Sequence, residues 1–142
     1  MPLRLDVSAH EGFARVTATG RIDVQDIREH LNQARQLGTF RQPELVDATR
    51  VEAVGITTRE LLSIAEIVYD ALGSDAMAPR AIVVASPAHF RWARTFAGLV
   101  AGWMTVGVFT DRREALLWLE HRAARPAQDG AGTVASKVAR RA

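Results

Sequence analysis

Leu3, Leu5 and Val7 alternate with Arg4 and Asp6, and after the turn-forming His10, Glu11 and Gly12 the pattern continues with Phe13, Val16 and Ala18. Alternation at that period predicts a half-buried β-hairpin. From Asp23 onward the apolar spacing changes. Val24, Ile27, Leu31 and Ala34 fall on one helical face, with Asp23 placed to cap the first turn and Gly38 to end the last. Glu44 to Asp47 reads as a short strand, and Ala48 to Ile56 shows neither period, so an irregular stretch is expected there. Thr57 followed by Glu60 has the spacing of a capping box, in which each side chain accepts from the other's backbone N–H. It opens a helix carrying Leu61, Leu62, Ile64, Ala65, Ile67, Val68, Tyr69 and Leu72 before Gly73, apolar around most of its circumference.

Ala81 to Ala85 is a continuous apolar run, the signature of a parallel strand covered on both faces, and Ser86 with Pro87 supplies an N-cap and a first-turn proline. The helix that follows extends to about Gly102. Trp103 to Phe109 predicts the last strand, and Thr110 or Asp111 caps a closing helix with Ala115, Leu116, Trp118 and Leu119 turned inward. The order ββαβαβαβα predicts one α/β domain over residues 1–123, with a mixed, mostly parallel sheet and right-handed crossovers.

Composition narrows the function classes. A chain of 142 residues with 48% hydrophobic and 24% charged residues can bury a core of ordinary size. It has no cysteine, which removes disulfides, thiolate metal sites and thiol nucleophiles. No secretory signal is visible. The uncharged stretch from Phe96 to Phe109 is interrupted by glycines and falls short of the ~20 apolar residues of a membrane span, so a cytoplasmic protein without a span is expected. The formal net charge is +2, but Arg125, Lys137, Arg140 and Arg141 against Asp129 give the segment after Ala123 a net +3, leaving −1 for the rest. Residues 124–142, rich in Ala, Pro, Gly, Ser and Thr, read as a flexible basic tail, and the folded part offers no basic surface for nucleic acid. The four histidines share no ligand spacing with one another or with a carboxylate, so no metal is expected. No glycine-rich phosphate loop follows a strand and no G-x-S-x-G elbow is present, so no nucleotide cofactor and no hydrolase triad are expected.

The run Phe90, Arg91, Trp92, Ala93, Arg94, Thr95, Phe96, together with Val108, Phe109, Thr110, Asp111 and then Glu114, Ala115, Trp118 and Leu119, resembles the SpoIIAA-like branch of STAS domains. The resemblance spans Leu3 to about His121 and rests mainly on packing positions. It implies a small cytosolic module that binds protein partners, or in some branches a nucleotide or lipid, without turning over a substrate. Anti-sigma-factor antagonists of this family carry a phosphoacceptor serine in an Asp-Ser-Ser-Gly segment before the helix after the third strand. Here Val54, Gly55, Ile56, Thr57, Thr58 and Arg59 occupy that place, without the aspartate or either serine, which argues against a kinase-switched antagonist. Thr57 or Thr58 remains a candidate acceptor, since phosphate at a helix N-terminus is stabilised by the macrodipole; an N-cap explains Thr57 equally well.

The carboxyl ends of the strands are where open α/β sheets receive ligands, and Asp47, Thr49, Arg50, Thr57, Thr58, Ser86, His89, Thr110 and Asp111 should gather there. Most double as caps, and Asp47 with Arg50 could simply pair. His89, at a helix start where its cation is disfavoured, could meet an incoming anion or acid, or be a plain surface histidine. Arg94, flanked by aromatics, suits an arginine that lays its stem on apolar surface and stacks or pairs with a carboxylate; alternatively Phe90, Arg91, Trp92 and Arg94 form a partner-binding face. Three functions are open: an interaction module, including a homodimer through an apolar helix face; a carrier or sensor of an apolar small molecule or lipid, held between the helix beginning near Thr58 and the Phe90 to Val100 helix; and a minor enzyme using His89 with Asp47 or Thr58. A solid, pocket-free core would remove the second.

Overall fold

A computed structural model describes residues 3–7, 12–72, 78–102 and 104–123. The tail expected after residue 123, the turn residues His10 and Glu11, the stop at Gly73, and Trp103 lie outside the described residues. Five strands, β1 (Leu3–Val7), β2 (Ala14–Asp23), β3 (Glu44–Gly55), β4 (Arg80–Val84) and β5 (Val106–Phe109), form one sheet in the spatial order β1-β2-β3-β4-β5. β1 pairs antiparallel with β2, from Leu3 opposite Ala18 to Val7 opposite Ala14, and every later pair is parallel. Four helices, α1 (Val24–Leu37), α2 (Thr58–Leu72), α3 (Pro87–Leu99) and α4 (Arg112–Ala123), separate or follow the strands, with a 3₁₀ turn at Thr39–Arg41.

The helix ends carry the capping chemistry written in the sequence. Asp23 and Asp26 form a reciprocal box at α1, with N···O distances of 2.9 and 3.0 Å, and Gly38 ends the helix at φ 72°, a conformation that side chains resist. Thr57 and Glu60 form the expected box at α2, at 2.9 and 3.1 Å. Ser86 accepts from the His89 N–H at α3 (3.1 Å), and of the two candidates at α4 it is Asp111 that caps, accepting from Arg113 at 2.7 Å.

β3 corrects the expectation of an irregular segment, because it continues to Gly55. Its register against β2 shifts twice, between Thr17 and Thr19 and between Gly20 and Arg21. Each irregularity breaks the two-residue alternation, which hides the second half of β3 from a periodicity reading. Beyond Ala48 this half pairs with β2 alone, since β4 ends at Val84. β5 is shorter than expected, because Met104 still bonds back to the Val100 carbonyl.

All three crossovers join neighbouring parallel strands in one direction, so right-handed connections put α1, α2 and α3 on the same face. On that face Leu31, Ala34, Leu61, Ile64, Val68, Ala97 and Val100 are buried together. Among the described residues α4 is the helix on the other face, where Ala115 and Leu119 pack on Leu45, Ala81 and Val83. There the Phe109 and Trp118 rings meet at 5.5 Å, and Gly107 makes room for them: a Cβ at that position would stand 2.7 Å from the Phe109 ring.

Candidate functional site

In a sheet wound in a single direction the strand order never reverses, so there is no switch-point crevice of the kind that gathers ligands in doubly wound folds. The open space lies elsewhere. α2 rests mainly on α1 and α3, and Ile64 and Val68 on its inner side look across a cavity to Val16, Val46, Ala48 and Ile82 of the sheet. Ile27 of α1 and Ala93 of α3 close its sides. Counted as space open to the centre of a water molecule, the cavity measures about 140 Å³. One water needs roughly 10–15 Å³ on that measure, so a moderate-sized organic molecule fits. The walls are almost wholly apolar, the condition for a lipophilic occupant.

At one end of the cavity stand Glu44 and Arg80, the first residues of adjacent parallel strands, 3% and 4% exposed. Arg80 works as a clamp: Nη1 donates to the carbonyls of Gln42 (2.6 Å) and Ala78 (2.8 Å), and Nη2 to that of Thr39 (3.0 Å). Those bonds tie the 3₁₀ turn to the start of β4. Glu44 Oε1 lies 3.3 Å from His30 Nε2, while its Oε2 is 3.8 Å from Arg80 Nη2, too far for a hydrogen bond. Burial pushes the Glu44 carboxyl up, but the Arg80 charge and the His30 contact together outweigh it and leave its pKa below the ordinary value. Burial likewise lowers the Arg80 pKa, and Glu44 partly restores it.

Toward the carboxyl ends of the strands the lining includes Val51, Val54, His89, Trp92 and Phe96. Trp92 and Phe96, one helical turn apart on α3, stack with centroids 6.0 Å apart and planes 8° from parallel. Trp92 is half-buried, as is His89.

The residues singled out from the sequence divide between the faces. His89 and Trp92 line the cavity. Asp47 alternates with Val46 and Ala48, both cavity residues, and so belongs to the α4 face. Its Oδ1 accepts from the Thr49 hydroxyl (2.6 Å) and N–H (3.1 Å), where a pair with Arg50 was one expectation. Partial burial raises the Asp47 pKa, and these two bonds, helped by Arg112 and Arg50, bring it below the usual carboxylate value. Arg50 and Thr58 are exposed, and the Thr57 hydroxyl is engaged as the α2 cap. Arg94 stays exposed with its guanidinium 5.9 Å from the Phe90 ring centroid. His30 on α1 turns toward Glu44. Among the described residues no group of three or more His, Asp or Glu side chains is placed to hold a metal ion. No described helix is long and apolar enough to cross a membrane.

No protein-family model and no curated protein sequence matches the chain. Its likenesses are structural. An uncharacterized DUF3478-family protein with a SpoIIAA-like fold, from Shewanella loihica PV-4, superposes with a TM-score of 0.51 at 18% identity, covering 82% of this chain and 91% of that one. The anti-sigma factor antagonist SpoIIAA in its unphosphorylated form superposes with a TM-score of 0.50 at 15% identity, covering 83% and 97%. The fold is thus the α/β fold of SpoIIAA-like STAS domains, as the packing motifs around Trp92 and Trp118 implied. At these identities the likeness speaks to the fold and leaves the activity to the site.

Proposed function

We propose that this chain is a non-enzymatic STAS-like module that binds an apolar small molecule in the cavity beneath α2. The observation that carries the reading is a continuous apolar space reaching from Glu44 and Arg80 at one end of the sheet to His89 and Trp92 at the other. A domain of this size gains stability by filling such space with its own side chains, since protein interiors otherwise pack at crystal-like density. The separation of His89 on the cavity side from Asp47 on the α4 side supports the absence of an acid–base pair between those two.

A second reading has its own support. Leu62 and Tyr69, one heptad apart on α2, are 49% and 51% exposed, and they lie on the same helix whose Ile64 and Val68 line the cavity. A protein partner or a second copy of the chain docking on α2 would then sense whether the cavity is filled. Lack of the Asp-Ser-Ser-Gly segment, and engagement of the Thr57 hydroxyl in its cap, favour this ligand-responsive role over a kinase-switched one.

Titration of the full chain with N-phenyl-1-naphthylamine, whose fluorescence rises in apolar surroundings, tests the first reading. Saturable binding is expected in the wild type. Ala93→Leu and Ala48→Leu, which put three extra carbons into the cavity from opposite walls, should each abolish it while the chain stays folded by circular dichroism. Absence of saturable binding, or equal binding in both variants, refutes the proposal.

A further inference from the structure

The exposed Leu62 and Tyr69 share the outer side of α2 with two exposed charges, Arg59 and Glu66. The four recur at intervals of three, four and three residues, so they form one seam along the helix. α2 is the middle helix of its layer and rests mainly on α1 and α3, which sets the seam on the outside of that layer. Arg59 and Glu66 stand two turns apart, about 10.5 Å along the axis, too far to pair within one chain.

Building on the reading of α2 as a docking surface, we infer that its occupant is a second copy of this chain, packed antiparallel through the same seam. The two-fold axis passes between Leu62 and Ser63. Arg59 of each copy then lies level with Glu66 of the other, because the two residues are equally far from that axis and, seven positions apart, point within about 20° of one another around the helix. Leu62 meets its own counterpart at the axis. Tyr69, leaning toward the helix N-terminus as long helical side chains do, reaches the exposed Thr58 of the other copy. Charge fixes the direction. Parallel copies in register would set Arg59 against Arg59 and Glu66 against Glu66, so the seam is self-complementary only when antiparallel. A different protein carrying one dominant charge would meet a like charge at one end of the seam. Exposed ion pairs add little affinity, so Leu62 and Tyr69 supply the attraction while the charges select register and direction.

Sedimentation equilibrium of the full chain, with folding checked by circular dichroism, tests the pairing. A wild-type dimer is expected. Arg59→Glu and Glu66→Arg, both at exposed positions outside the capping box, should each weaken it about tenfold, since each turns two attractive contacts into two repulsive ones. Combining the two substitutions in one chain should restore the wild-type affinity, and an equimolar mixture of the two single variants should associate more tightly than either alone. Leu62→Glu, which brings two carboxylates together at the axis, should abolish the dimer. A wild-type chain that stays monomeric at submillimolar concentration overturns the self-pairing alone, since a different protein could still dock on α2. A dimer indifferent to Leu62→Glu overturns the self-pairing and the docking reading of α2 together. A dimer that Leu62→Glu breaks but the charge exchange does not rescue overturns the antiparallel register.

Discussion

Arg80→Met should cost this domain at least about 4 kcal/mol of folding free energy, a large share of the roughly 5–15 kcal/mol typical of a domain. Two losses combine. The carboxylate of Glu44, 3% exposed and held below its ordinary pKa, would stay buried without its cation, and breaking such a pair from one side costs about 3–5 kcal/mol. The Thr39, Gln42 and Ala78 carbonyls would also lose a charged donor, at about 1.5–3 kcal/mol for each such bond when it is not replaced. These terms overlap, so the sum is an upper bound. Glu44→Met with Arg80→Met removes the stranded charge and should recover about 2 kcal/mol relative to Arg80→Met alone, leaving mainly the carbonyl cost. Urea unfolding followed by circular dichroism, on the wild type, both single variants and the double variant, supplies the cycle. A loss below about 1 kcal/mol for Arg80→Met, or a double variant whose loss equals the sum of the singles, would show that clamp and pair are not energetically coupled.

Glu44 should also shape the acid limb of stability. Its folded pKa lies below 4.5, so the stability it contributes is complete above that value and vanishes as the pH falls through the lower, folded-state pKa; the urea midpoint of Glu44→Gln should therefore be less sensitive to pH than the wild type below about pH 4.5, and parallel profiles would contradict the assignment. Asp23→Ala removes one side of the α1 capping box and should lower stability by about 1 kcal/mol in the same urea assay; no measurable change would mean the box does not hold in solution.

The hairpin, the caps at Asp23, Thr57 and Ser86, the buried run through Val84 and the inward face of the closing helix were legible because each depends on residues close in sequence. The second half of β3 was not, since two register shifts interrupt its alternation and place Ala48, Val51 and Val54 on one wall at spacings of three. The charged end of the cavity was not legible for a different reason. Polar residues at the carboxyl ends of strands attract attention in an α/β chain, yet that rule presupposes a reversal in strand order, which no local pattern reveals. Glu44 and Arg80 went unnoticed because an isolated charge usually means a solvated side chain. A signal was present: charges of opposite sign, each the first residue of a strand and each followed by an apolar residue, Leu45 and Ala81. His30 could be placed only by the packing of α1 over the start of β3.

The agreement between chain order and strand order bears on how the molecule is made. Each strand that leaves the ribosome finds its partner already at the open edge, β3 on β2, β4 on β3, β5 on β4, and no later strand must be threaded between earlier ones. Loop closure spans one helix at a time, which keeps the entropic barrier of every step small. Arg80 reaches back to Thr39 and Gln42, and its arrival locks the turn after α1 into place. The residue that closes one end of the cavity is thus also the latch that marks the first half of the domain as finished.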